Sequence, residues 1–320
     1  MTPALADANN GNWQTAQRWA GMLSGAYRVR LASSWHAGDE ALMIALHARR
    51  SAASIAAWHA QRAGRPLMLV LTGTDLYRDI ATDADAQRSL HSADRLVVLN
   101  PLGAQPLPPA LRSKARVVLQ SCSARQAAIK PKSHLRALMV GHLRDEKSPR
   151  TYFDAARHLH DVHERRDIRL DHIGAALDPT LGAEAAALML SCPHYRWLGA
   201  LPHGATRRRI QAAQVLVHPS RMEGGANVVI EAIRSGTAVL ASRIDGNVGL
   251  LGDDYAGYFP LGDAGALATL LRRVRDEPAM LIDLQAQCAA RAPLFEPARE
   301  RDTLHALVTD LLTSPPGDTP

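Results

Sequence analysis

Aromatic side chains make up only 4 % of the 320 residues, too few for the stacking surface that single-stranded nucleic acid requires. Cysteine is almost absent. Cys122, Cys192 and Cys288 are far apart and lack CxxC spacing, which excludes a disulfide framework and argues against structural zinc and for a reducing compartment. No run approaches the roughly 20 apolar residues of a membrane span. The opening stretch MTPALADANNGNW has neither a basic n-region nor a long apolar h-region, so no secretory signal is read there. These absences set the expectation of a cytoplasmic protein that does not engage a membrane. Lysine is scarce too, at four positions (Lys114, Lys130, Lys132 and Lys147), so nearly all positive charge is guanidinium.

What is present is a core-forming composition. At 47 % hydrophobic and 21 % charged residues the chain can bury a core, which excludes intrinsic disorder. At about 150 residues per domain the length suggests two domains. The formal net charge is +6. Arginine binds phosphate bidentately and keeps its charge when buried. A phosphorylated small molecule, a nucleic acid and plain arginine-rich codon usage all fit that balance.

Short apolar runs alternate with helical patterns. Ala41 to Leu46, Leu67 to Leu71, Leu96 to Leu99 and Val117 to Leu119 read as buried parallel strands, with helices over Ser51 to Arg62 and Asp83 to His91. The series restarts after Lys130-Pro131-Lys132, with strands at Leu135 to Val140, Ile168 to Ile173, Val215 to Val217 and Ala238 to Leu240. Such alternation indicates an α/β class with two doubly wound domains, 1–132 and 133–296. Residues 297–320 carry a final helix, Arg299 to Leu312, expected to pack back on the first domain, and then a disordered Pro/Gly tail. Gln14 to Leu23 is an amphipathic helix opened by Asn9-Asn10-Gly11-Asn12. A strand is expected before that loop, yet Met1 to Ala8 are too few and too weakly apolar to form it well, so the first strand reads as missing.

In open α/β sheets ligands bind beyond the carboxyl ends of the strands. The residues there are His47-Ala48-Arg49-Arg50-Ser51, Thr72-Gly73-Thr74-Asp75, Gly141-His142-Leu143-Arg144, Gly174 and His218-Pro219-Ser220. The most distinctive stretch is Glu223-Gly224-Gly225-Ala226-Asn227-Val228-Val229-Ile230-Glu231, two acids separated by seven residues across a Gly-led helix start. Taken alone, it also reads as a capped helix with two solvated acids.

Within its context, His218-Pro219-Ser220 before and Gly236 to Ser242 after, the block resembles the nucleotide-sugar domain of GT-B glycosyltransferases of the retaining family four. The resemblance implies a GT-B fold, two Rossmann-like domains facing a cleft. Val140 to Lys147 resembles the family's G-R-L and following Lys, with His142 where Arg is usual. Asn9 to Asn12, Leu46 to Ser51, Leu71 to Asp79, His218 to Asn227 and Ile244 to Gly249 further resemble one subfamily, the selenosugar synthases of selenoneine biosynthesis. That likeness runs from Asn9 to about Phe295. It implies transfer of a sugar from UDP-N-acetylglucosamine or UDP-glucose to selenophosphate, releasing UDP and phosphate, and a link to other enzymes of that pathway.

The resemblance assigns donor binding to Gly11, Asn12, His142, Arg144, Lys147, Glu223, Gly224, Gly225, Asn227 and Glu231. Glu223, Lys147 and Arg144 become the candidate catalytic residues. Arg144 also reads as an ion-pair partner of Asp145 or Glu146. An anionic acceptor beside a diphosphate needs fixed cations, whereas a hydroxyl acceptor needs a carboxylate base. His47, Arg49, Arg50, Thr74, Asp75 and Arg78 are therefore the candidate acceptor residues. A solvated helix start explains Arg49 and Arg50 equally well.

No cofactor and no metal are implied. No DxD triplet stands where a metal pair is expected, Asp253-Asp254 reads as a surface turn, and His158, His160 and His163 lack ligand spacing. Three other functions compete. One is a glycosyltransferase for hydroxyl or thiol acceptors, and another a nucleotide-sugar epimerase on the same fold. The third is a nucleic-acid-binding module, resting on the basic balance and on Arg207-Arg208-Arg209. On a helix that triplet fans around the axis and forms no stripe, so no nucleic-acid partner is expected.

Overall fold

The computed structural model describes residues 1–3, 11–162 and 167–313. Asn9, Asn10, His163 and the tail from Ser314 to Pro320 lie outside the described residues, as does most of the stretch Met1 to Ala8. The chain forms two compact units. The first comprises Met1–Ser121, Glu223–Gly225 and Glu296–Pro320, and the second Cys122–Met222 and Ala226–Phe295.

The first unit begins with helix α1 (Gly11–Leu23), followed by β1 (Met43–Leu46), α2 (Ala52–Gln61), β2 (Leu67–Leu71), the short α3 (Ile80–Thr82), α4 (Ala84–Ser92), β3 (Arg95–Val98) and β4 (Ala115–Val117). Its four strands lie in the order β1-β2-β3-β4, all parallel. β2 is buried along its whole length. Leu67, Leu69 and Leu71 join one apolar cluster and Met68 and Val70 another, the period of two that places a core on each face of the sheet.

β1 is the edge strand, and no strand precedes α1 among the described residues. Among the described residues, Met1 pairs with β1 from outside. Its amino group donates to the Ile44 carbonyl at 2.6 Å, and its carbonyl accepts from the Leu46 amide at 3.1 Å. These two bonds bracket Ala45 as one rung of a parallel ladder would. A cavity of about 300 Å³ adjoins this edge, lined in part by Met1, Trp19, Leu31, Met43 and Ile44.

The second unit contains β5 (Leu135–Val140), α5 (Pro149–Arg157), β6 (Ile168–Ile173), α6 (Pro179–Ser191), β7 (Tyr195–Trp197), α7 (His203–Ala212), β8 (Val215–His218), α8 (Asn227–Ile233), β9 (Ala238–Ser242), α9 (Asp245–Leu251), β10 (Tyr258–Phe259), α10 (Ala264–Asp276) and α11 (Pro278–Arg291). Six parallel strands run in the order β10-β9-β8-β5-β6-β7. The chain winds outward from β5 to β7, returns to the other side of β5 as β8, and winds outward again. The strand order therefore reverses between β5 and β8, which is where doubly wound sheets open a crevice for ligands. Tyr152, Phe153, His172 and Tyr195 pack together in its core, Tyr195 edge-on to the other three.

The chain rejoins the first unit as α12 (Pro297–Thr313), which packs on α1. Buried Glu300 fixes it, accepting from Trp19 Nε1 at 2.6 Å, Arg18 Nε at 2.9 Å and the Ser121 amide at 2.7 Å. Among the described residues no helix is long and apolar enough to cross a membrane.

Candidate functional site

At the reversal point of the second unit, the loop leaving β5 is held from below by its neighbours. His172 Nε2 donates to the Gly141 carbonyl at 3.0 Å, and the Leu143 amide donates to the Ala175 carbonyl at 2.9 Å. Gly174 is required here, because a Cβ on it would sit 1.9 Å from the Gly141 carbonyl oxygen.

His142 Nδ1 accepts from the Ala175 amide at 3.0 Å, which puts the ring proton on Nε2. Burial, then the charges of Arg144 and Lys147, hold this imidazole below its usual range. His142 is thus a neutral N–H donor and not a replacement cation. Lys147 lays its aliphatic stem over Gly141, whose missing Cβ would lie 3.3 Å from Lys147 Cγ. Arg144 Nε stands 4.0 Å from Glu146, beyond hydrogen-bond reach, while Asp145 faces Arg221 at 3.6 Å.

The loops after β5 and β8 are joined, the Arg221 amide donating to the Glu146 carbonyl at 2.9 Å. Beyond β8, α8 starts at Asn227 and carries Glu231, which is buried. Glu231 Oε1 pairs with His203 Nε2 at 2.6 Å. The structure therefore gathers His142, Arg144 and Lys147 on the β5 loop, and Asn227 and Glu231 on the helix after β8. Glu223, Gly224 and Gly225 group by their contacts with the first unit, as do Gly11 and Asn12, the first two residues of α1.

In the first unit the loops after β1 and β2 meet. Asp75 is fully buried and spends both oxygens on backbone amides: Oδ1 accepts from Thr72 and Gly73, and Oδ2 from Ala48, each at 2.9 Å. Its carboxylate ties the two loops together. Gly73 has a φ of 137°, a conformation reserved for glycine. His47 adopts a left-handed φ of 73°, and its Nε2 lies 3.1 Å from Thr74 Oγ1. Burial lowers its pKa against the opposing pull of Asp75 and Asp79.

Arg49 and Arg78 converge on one carboxylate, that of Asp79. Arg50 is exposed and contributes its backbone amide to His47 Nδ1 at 3.4 Å. The two non-glycine residues with positive φ among the described residues are His47 and Ser148, each in the loop after the first strand of its sheet. Strain of this kind concentrates at functional loops.

Two residues of these clusters, Asp79 and His203, escape sequence reasoning. Asp79 had a signal, since it follows Asp75 by one turn in Asp75-Leu76-Tyr77-Arg78-Asp79, which winds as a single π-helical turn. His203 had none, lying 28 positions from its partner. Among the described residues no group of three or more His, Cys, Asp or Glu is placed to hold a metal ion.

No curated protein sequence matches the chain. Several solved structures share its fold. Sucrose-phosphate synthase of Thermosynechococcus elongatus is 19 % identical with a TM-score of 0.70, over 85 % of this chain and 73 % of that one. Anabaena HepE in complex with UDP-glucose is 14 % identical at 0.67, over 84 % and 79 %. S. aureus TarM is 11 % identical at 0.66, and the match covers 85 % of this chain but 55 % of TarM, so the chain spans about half the length of that relative. These likenesses establish two parallel α/β sheets of the GT-B kind. The family model for glycosyl transferases group 1 matches residues 123–294, just over half of the chain, and the chain belongs to that family.

Proposed function

We propose that the protein transfers a sugar from a UDP-sugar to an anionic acceptor, selenophosphate, and releases UDP. The donor assignment is supported by the reversal-point loop of the second unit. Arg144 and Lys147 neutralise the charge growing on the departing UDP, and His142 contributes a neutral N–H. Glu231 accepts from sugar or ribose hydroxyls, with Asn227 on the same helix, while Gly11, Asn12, Glu223, Gly224 and Gly225 stand with the first unit.

The observation that carries the acceptor reading is the cluster of His47, Arg49, Thr74, Arg78 and Asp79, with Arg50 beside it. The ring lone pair of His47, on Nδ1, faces the Arg50 amide at 3.4 Å, and the acids are engaged, Asp75 by backbone amides and Asp79 by guanidiniums. Such a site is short of a free base for a hydroxyl. Selenium needs none. It attacks the anomeric carbon, forming C–Se as the C–O bond to UDP breaks with its electron pair. Water then cleaves the P–Se bond, giving inorganic phosphate and a 1-selenosugar.

A second reading, transfer to a hydroxyl or thiol acceptor, is favoured by the chain's likeness to a sucrose-phosphate synthase and to TarM solved with α-GlcNAc-glycerol and UDP. One experiment separates them. The protein is incubated with UDP-N-acetylglucosamine or UDP-glucose, with and without selenophosphate, while UDP is followed by chromatography and products by mass spectrometry. Selenophosphate-dependent UDP release with a selenosugar mass is expected. UDP release indifferent to selenophosphate and dependent on an alcohol or thiol would establish the second reading. Glu231→Ala and Lys147→Ala should abolish turnover in folded protein.

A further inference from the structure

Asp79 is buried, at 5 % exposure, yet it serves no backbone amide among the described residues. Each of its oxygens takes one guanidinium: Oδ2 accepts from Arg49 Nε and Oδ1 from Arg78 Nε, both at 3.0 Å. The two arginines come from different loops, one after β1 and one after β2, and their side chains stay 43 % and 45 % exposed. One carboxylate therefore holds two accessible cations by their Nε–H groups, in a fixed relation to each other. His47 backs the same carboxylate, with Nε2 at 3.9 Å from Oδ2. The segment carrying Asp79 and Arg78 is the π-helical turn, and the segment carrying Arg49 follows the left-handed His47. Backbones of both kinds concentrate at functional sites.

We propose that Asp79 is a positioning residue that sets Arg49 and Arg78 as a two-pronged clamp for a tetrahedral phosphate-type oxyanion. Guanidinium forks bind such an anion well only when their direction is fixed, because each bond is charge-assisted and directional. Unpositioned arginines would lose side-chain entropy on binding. The inference deepens the anionic-acceptor reading and rests on it for the identity of the natural anion, while the clamp itself can be tested without any sugar donor.

The sign of one substitution decides between positioning and simple charge. Asp79→Asn removes a negative charge beside the bound anion, so Coulomb repulsion alone predicts tighter binding. Positioning predicts the reverse, because an amide keeps one acceptor oxygen and can orient only one of the two guanidiniums. Thiophosphate is titrated calorimetrically into the full chain and into Asp79→Asn, with UDP titrated as the control. The expected result is a Kd for thiophosphate raised about tenfold, the worth of one charge-assisted hydrogen bond, with the Kd for UDP unchanged. In turnover the acceptor KM should rise more than kcat falls, and Asp79→Glu should recover part of the loss.

An unchanged or lowered Kd in Asp79→Asn overturns the proposal. If that variant does not fold, Arg49→Gln and Arg78→Gln replace it, and wild-type thiophosphate affinity in either overturns the clamp. The two ideas fail separately. A clamp that binds thiophosphate in a protein forming no selenosugar removes selenophosphate as substrate and leaves the clamp standing. Selenosugar formation by Asp79→Asn at the wild-type acceptor KM removes the clamp and leaves the reaction.

Discussion

His203 Nε2 lies 2.6 Å from Oε1 of Glu231, bringing the first residue of α7 against α8. The imidazole is half-exposed and the carboxylate buried, so the histidine reaches inward to orient the acid. His203→Ala should raise the Kd for a UDP-sugar roughly tenfold, and His203→Gln, which still donates, only a few-fold. Calorimetry with both variants checks this. Equal, wild-type affinities would leave Glu231 needing no partner.

The close approach of Gly174 to Gly141 makes a second prediction. Gly174→Ala forces the β5 loop to shift, since the new methyl would meet the Gly141 carbonyl carbon at 2.5 Å and His142 Cα at 2.9 Å. Overpacking of this sort costs about 1–3 kcal/mol, and here it also displaces the residues assigned to the diphosphate. Thermal melting and UDP binding should both weaken. Gly204→Ala is the control, with only the tip of Arg208 at 3.9 Å from the added methyl, and should weaken neither.

Stability should depend on pH through His172. Its Nε2 donates to Gly141, its Nδ1 faces the Tyr195 hydroxyl at 3.1 Å, and burial lowers its pKa to about 4. Between about 4 and the unfolded value of about 6.5, the unfolded chain holds a proton that the folded chain refuses. Stability therefore rises with pH across that window, and is lost as pH falls from 6.5 towards 4 by up to ~3 kcal/mol. Urea unfolding at pH 4.5 and 7 measures it, and His172→Gln should flatten the slope.

Glu300 supplies the fourth prediction. Replacing it with alanine removes the acceptor of Arg18 Nε, the Trp19 indole and the Ser121 amide at once. Breaking a buried charged network from one side costs about 3–5 kcal/mol. Loss of α12 from the first unit should appear as early proteolysis in that helix, before the second unit is cut. Cleavage rates matching the wild type would contradict it.

How much of this is legible in the sequence depends on the distance over which each feature is encoded. Strand β2 is readable because five successive apolar residues serve both faces of a parallel sheet. Lys147 and Glu231 are readable because their spacing from a glycine or a second acid is local. His203 and Glu300 are not, since their partners lie 28 and some 280 positions away and only tertiary packing unites them. The neutrality of His142 is also invisible in one dimension. It follows from a backbone amide on a neighbouring strand's loop, 33 residues distant. Asp75 looks like a ligand-facing acid in sequence, but folding turns it inward to three amides.

Met1 shows what a charge costs in a place built for an amide. Its amino group fills a ladder position against Ile44, and burial pulls its pKa down to about 6. A residue joined ahead of it would turn the ammonium into a neutral N–H that makes the same bond with nothing to discharge. An N-terminal affinity tag is therefore not an inert handle on this chain. It alters the edge of the first sheet at the Met1–Ile44 bond.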